Sequence, residues 1–165
     1  MPRTRVYLPV TRTDLATLAR ERVLPAPRSA CAVTRALEQS QKGADEEELE
    51  YLALQHAAHE AVPTAADAGE RVVVAAADVS PEEVTGVDTP AAQLPAGRIA
   101  CSVTVTEQVP LARIASFHVG DGIAVVPPGA AEDDPTQEVE DVELSWYDVT
   151  ELAGLLDLVA GVRRR

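Results

Sequence analysis

The strongest hydrophobic pattern in the chain is the run Arg71–Val79 (Arg-Val-Val-Val-Ala-Ala-Ala-Asp-Val), apolar at nearly every position. A strand with one wet face alternates, so an unbroken short run predicts a strand covered on both faces. Residues 98–106 do alternate. Ile99, Cys101, Val103 and Val105 fall on one side, and Ser102, Thr104 and Thr106 on the other, the period of a half-buried strand. Residues 5–10 predict a short opening strand. Pro9 places it at a sheet edge or at the strand's own end, because proline brings no N–H to a ladder. Residues 29–33 and 116–119 read as further short strands. Val142, Leu144 and Trp146 alternate in a last one, with a core position the default for Trp146 and a surface patch formed with Tyr147 the alternative.

Helical patterns lie between these runs. Thr11 or Thr13 caps a helix to about Arg22 with Leu15, Leu18 and Ala19 on one face, and Pro25 and Pro27 follow it. Thr34 caps a short helix that Gly43 stops. Asp45 opens the clearest helix. Glu46, Glu47 and Glu48 occupy its first turn, where the helix dipole favours anions, and Leu49, Leu52, Ala53 and His56 recur at helical spacing until Pro63 is expected to end it. One helical turn is expected within residues 110–115. Asp148 and Glu151 have capping-box spacing ahead of a final helix over residues 151–162. Gly86, Pro90, Pro95 and Gly97 mark a loop, and residues 127–138 read as a mobile acidic loop. The strands cluster late in the order. We therefore expect one α+β domain over residues 1–165, with a twisted, mostly antiparallel sheet and about four helices.

Composition narrows the function. At 165 residues the chain is one domain in length. Aromatic residues are 3%, so the core is aliphatic and no stacking platform for single-stranded nucleic acid exists. The net charge of −13 disfavours non-specific binding to nucleic acid and to anionic membranes, both of which need positive charge. The charge is uneven: residues 1–42 carry eight cationic side chains against three acids, and residues 43–162 carry three against twenty-four. That asymmetry fits internal complementarity or an anion-binding cleft. No apolar run approaches the roughly 20 residues of a membrane span. Cys31 and Cys101 make no disulfide framework and read as buried thiols, and the expected location is cytoplasmic.

Few residues suggest chemistry. His56 and His59 stand at i, i+3 on one helix. They match no zinc-hydrolase spacing and have no third ligand, so no metal centre is expected although these two are its candidates. His118 is alone in a strand. No nucleophile elbow, Walker A or dinucleotide fingerprint occurs. Catalysis by either cysteine would need a depressed thiol pKa and a neighbouring base.

Five stretches carry a resemblance over nearly the whole chain: Arg5-Val-Tyr-Leu-Pro9, Ala32-Val-Thr34, the acidic helix start from Asp45 to Tyr51, Val72–Val79, and Trp146-Tyr147. By these the chain resembles a family of uncharacterised small proteins, a domain of unknown function, from high-GC bacteria. The single lysine, Lys42, against thirteen arginines suits such a genome. The opening strand and helix, the middle strands, and Val109–Ile114 running into Phe117-His-Val119 are also similar to the layout of ADP-ribosyltransferase-like domains. That resemblance implies NAD as cofactor, with Arg5, Tyr7 and Thr34 as cofactor-binding residues and Glu143, or Glu138 or Glu140 just before it, as the catalytic glutamate that stabilises an oxocarbenium-like transition state. Leu8 stands where that family has a histidine, and the family's Ser-Thr-Ser pattern is absent.

The leading expectation is a binding or interaction domain without a complete catalytic site or a cofactor, its partner an unknown protein or a small anionic ligand. An NAD-dependent transferase is the alternative, and an acidic mimic of nucleic acid is a third.

Overall fold

The structure is a computed structural model that describes residues 3–126 and 141–161, so the 127–138 loop lies outside the described residues. Its centre is a seven-stranded sheet in which every pairing is antiparallel. The strands are β1 (Thr4–Val10), β3 (Arg28–Ala32), β4 (Arg71–Val79), β5 (Val84–Thr85), β6 (Ser102–Val105), β8 (Ile114–Ile123) and β9 (Leu144–Asp148), in the order β5-β6-β3-β1-β4-β8-β9. A two-stranded ribbon pairs β2 (Val23–Leu24) with β7 (Val109–Pro110). The four helices are α1 (Arg12–Glu21), α2 (Arg35–Ser40), α3 (Glu46–Ala68) and α4 (Leu152–Val159). The α+β architecture follows as expected.

Both faces of the sheet are covered. On one, Val6, Leu8 and Val10 of β1 and Val73, Ala75 and Ala77 of β4 meet Leu15 and Leu18 of α1 and Leu152, Leu155 and Val159 of α4. On the other, Tyr7, Val72, Val74 and Ala76 meet α3, whose buried stripe is Leu49, Ala53, Ala57, Ala61 and Ala65. Alanine against Val and Ala brings the helix axis close to the strands. The apolar run of β4 thus has two covered faces because two layers flank it.

The expected caps are present. Thr11 and Asp14 form a capping box on α1, Thr34 caps α2, and Asp45 accepts from the Glu48 N–H at the start of α3. Asp148 and Glu151 form the box that leads into α4.

Several expectations need correction. Pro63 lies inside α3, which continues to Ala68. The carbonyl a proline leaves unpaired belongs to His59, and Pro63 is on the exposed side, where water can satisfy that group. β1 is a central strand rather than an edge, and Pro9, opposite Val74, stands near its end, the other position expected for it. Pairing of β1 with β3 stops at Tyr7–Cys31, so the side lacking a donor needs none. The 98–106 segment becomes a strand only from Ser102. Cys101 packs with the α3 layer rather than beside Val103 and Val105, and Ile99 is exposed. Leu52 and His56 are only partly buried on α3, and Ala19 is exposed on α1. Among the described residues, no helix is long and apolar enough to cross a membrane.

Candidate functional site

Register across the α3 face of the sheet determines which polar side chains become neighbours. Arg5 of β1 stands opposite Asp78 of β4. Its Nε donates to Asp78 Oδ1 at 2.7 Å and its Nη2 to Asp78 Oδ2 at 3.1 Å, a two-pronged pair at partial exposure. Those hydrogen bonds raise the pKa of the Arg5 guanidinium. In the next row Tyr7 faces Ala76, which faces Ser116 of β8, which faces Asp148 of β9. Burial, followed by the negative charge of Glu50, pushes the Tyr7 phenol up to about 12.

One row further, Val74, His118 and Trp146 stand side by side on β4, β8 and β9. His118 is half-buried, with a ring nitrogen 3.2 Å from Ser116 Oγ. Burial, and behind it the charge of Arg5, holds its pKa below the usual histidine value, so the ring is neutral at pH 7. Trp146 is 61% exposed, contrary to the core position taken as its default from sequence. The reason is topological: β9 is the last strand of the sheet, and the α3 layer packs against it at Leu144 but not at Trp146.

A cleft of about 530 Å³ opens between α3 and this edge, bounded by Tyr51, Leu54 and Gln55 on the helix and by His118, Asp141 and Leu144 opposite. Tyr51 donates to Asp141 Oδ2 at 2.6 Å. Gln55, only 6% exposed, closes one end by a pair of hydrogen bonds to the backbone. Its Oε1 accepts from the Val142 N–H at 2.8 Å and its Nε2 donates to the Val142 carbonyl at 3.0 Å. A primary amide used this way presents the donor and acceptor that a neighbouring strand would.

The cofactor-binding and catalytic candidates lie at three places in the fold. Arg5 and Tyr7 point the same way from β1. Thr34 is buried at the start of α2, where its hydroxyl accepts from the Leu37 N–H and donates to the Ala100 carbonyl. Glu143 lines the cleft just ahead of β9, with β4 and β8 between it and β1, and its carbonyl accepts from the Asp121 N–H. Glu138 and Glu140 lie outside the described residues. His56 and His59 are partly buried on α3, and burial lowers the pKa of both. Among the described residues, no group of three or more His, Cys, Asp or Glu side chains is placed to hold a metal ion. Cys31 and Cys101 are buried free thiols in contact. The Cys101 hydrogen bond and burial push the Cys31 thiol far up, which keeps it protonated and unreactive.

Sequence reasoning missed Ser116 and Gln55, and it met His118 only as a lone strand histidine. A period-two Ser-x-His on β8 was the available signal for the pair, since such spacing places both on one face. Ser116 beside a neutral imidazole has the form of a nucleophile and base. The serine is only 5% exposed, however, and among the described residues no carboxylate hydrogen-bonds the ring to orient it.

Comparison with known proteins adds one result. No curated protein and no solved structure matches the chain. The sequence profile described as "Family of unknown function (DUF6912)" covers residues 4–156, and the chain belongs to that family.

Proposed function

We propose that the domain is a protein-binding module that engages its partner through β9 and the cleft beside it. The observation that carries this reading is the placement of Trp146. It is the chain's only tryptophan, and it stands exposed on an edge strand next to a cleft. Isolated exposed apolar residues are ordinary on protein surfaces. A tryptophan at a sheet edge is a different case, because tryptophan leads the residue types that anchor interfaces and an open edge is a template for pairing. Tyr51, also exposed, extends the aromatic surface across the cleft. The polar groups behind it serve this role better than catalysis, since Arg5 is committed to Asp78 and Ser116 is covered.

The test is site-specific photocrosslinking in cells that make the protein. A photoreactive phenylalanine analogue is placed at position 146 and, as control, at position 13, which is exposed on α1 on the opposite face. A discrete protein adduct from 146 and none from 13 is expected. Equal labelling from both positions, or none from 146, overturns the reading.

A further inference from the structure

The hydrogen-bond phase of β9 shows which of its backbone groups are free. The Asp121 N–H donates to the Glu143 carbonyl, and the register places Val119 opposite Ser145 and Phe117 opposite Tyr147. In an antiparallel pair, alternate residues turn both backbone groups toward the partner strand. Residues 143, 145 and 147 therefore face β8, and residues 142, 144, 146 and 148 face outward. Two side chains match this phase. The outward N–H of Val142 is taken by Gln55, and that of Asp148 by Glu151 Oε2 at 2.8 Å. Both ends of the edge are thus closed by the protein's own side chains. Among the described residues, the outward N–H and C=O groups of Leu144 and Trp146 have no partner.

The exposed charges around this gap are mainly acidic, while two cations on the same sheet are engaged, Arg71 with the Gly120 carbonyl and Arg5 with Asp78. Asp121, Asp141, Glu143 and Glu151 are exposed, Asp148 is partly exposed, and no Lys or Arg occurs between Arg113 and Arg163. A second copy of the chain would bring like charges together at the same edge, each copy carrying −13 overall.

We propose that the partner supplies an extended segment bearing Arg or Lys, which pairs with Leu144 and Trp146 as an eighth strand of the sheet. This rests on the binding reading above and adds the class of partner and the mode of contact. Backbone pairing supplies affinity, and the acids select the side chains. A cationic side chain that projects on the α3 side of the new strand meets the Trp146 ring, an arrangement favourable to cation–π contact.

The probe is a short fluorescein-labelled peptide alternating Arg and Val, titrated into the full-length protein by fluorescence anisotropy with Trp146 emission as a second readout. Its controls are the Glu-Val counterpart and the Arg-Val peptide with alternate backbone nitrogens methylated. Saturable binding of the Arg-Val peptide is expected. It should weaken about tenfold or more on N-methylation, the size of one or two lost hydrogen bonds. Leu144→Pro, which removes one outward N–H, and Trp146→Lys, which adds charge at an exposed position, should weaken it similarly. The Glu-Val peptide should not bind. The methylated peptide keeps the test valid even where Leu144→Pro disturbs the fold. Equal affinity for the methylated and parent peptides would reduce the interaction to charge and overturn the proposal. So would Trp146→Lys without effect, or self-association through β9 with no peptide binding. If no basic peptide binds while crosslinking from position 146 still captures a protein, this inference falls and the binding reading stands.

Discussion

Replacing Gln55 with leucine tests how the edge is closed. Leucine has nearly the volume of glutamine but can neither donate nor accept, so the packing under α3 is kept while both bonds to Val142 are lost. A net hydrogen bond contributes about 0.5–1.5 kcal/mol. Two of them, with a Val142 backbone only partly buried and able to recover some water, give a loss of about 2 kcal/mol. For a domain of this length that is a fall in Tm of about 4–8 °C. The assay is urea unfolding followed by circular dichroism, with amide exchange measured at Val142. A lower midpoint at unchanged slope is expected, together with faster exchange at Val142 and unchanged exchange at Ser145. A midpoint shift equivalent to less than about 0.5 kcal/mol, or a Val142 amide that stays protected, would refute the reasoning, because the glutamine would then not be closing the edge.

Three further outcomes follow from the same geometry. The pKa of His118 is lowered by burial and by Arg5, so the unfolded chain binds its proton more readily than the folded one. Stability should therefore be full above about pH 6.5 and fall as pH drops below it, with His118→Gln flattening that slope in pH-resolved urea titrations. Trp146→Ala should cost about 1–2 kcal/mol at most, because the residue is 61% exposed, and a loss of about 3–5 kcal/mol in thermal unfolding, the size for a core tryptophan, would mean the ring packs against the fold. Cys31 and Cys101 should resist an aromatic disulfide reagent in the native protein and react once urea unfolds it, and prompt labelling of the folded protein would contradict their burial.

What the sequence disclosed was local. The caps at Thr11, Thr34, Asp45 and Asp148 were readable because each bonds within three residues of itself. The two-sided burial of β4 was readable because an unbroken apolar run leaves no face for water. What stayed hidden depends on partners far along the chain. Gln55 meets Val142 across 87 positions, and no pattern around either residue announces the other. Trp146 looked like a core residue because its exposure depends on β9 landing last in the sheet. The continuation of α3 past Pro63 depended on which side of the helix that residue faced. Arg5 and Tyr7 were singled out only through a resemblance in layout, and the Asp78 that holds Arg5 became its neighbour only through strand pairing.

The measurement closest to the central claim is residue-resolved hydrogen exchange by NMR across β9, first alone and then with the Arg-Val peptide. In the free protein the amides of Ser145 and Tyr147, bonded to β8, should exchange slowly, while those of Leu144 and Trp146 exchange fast. Saturating peptide should slow Leu144 and Trp146 selectively. Amides of Leu144 and Trp146 as protected in the free protein as those of Ser145 and Tyr147 would mean the edge is already closed, and the account of β9 as a recognition strand would be contradicted.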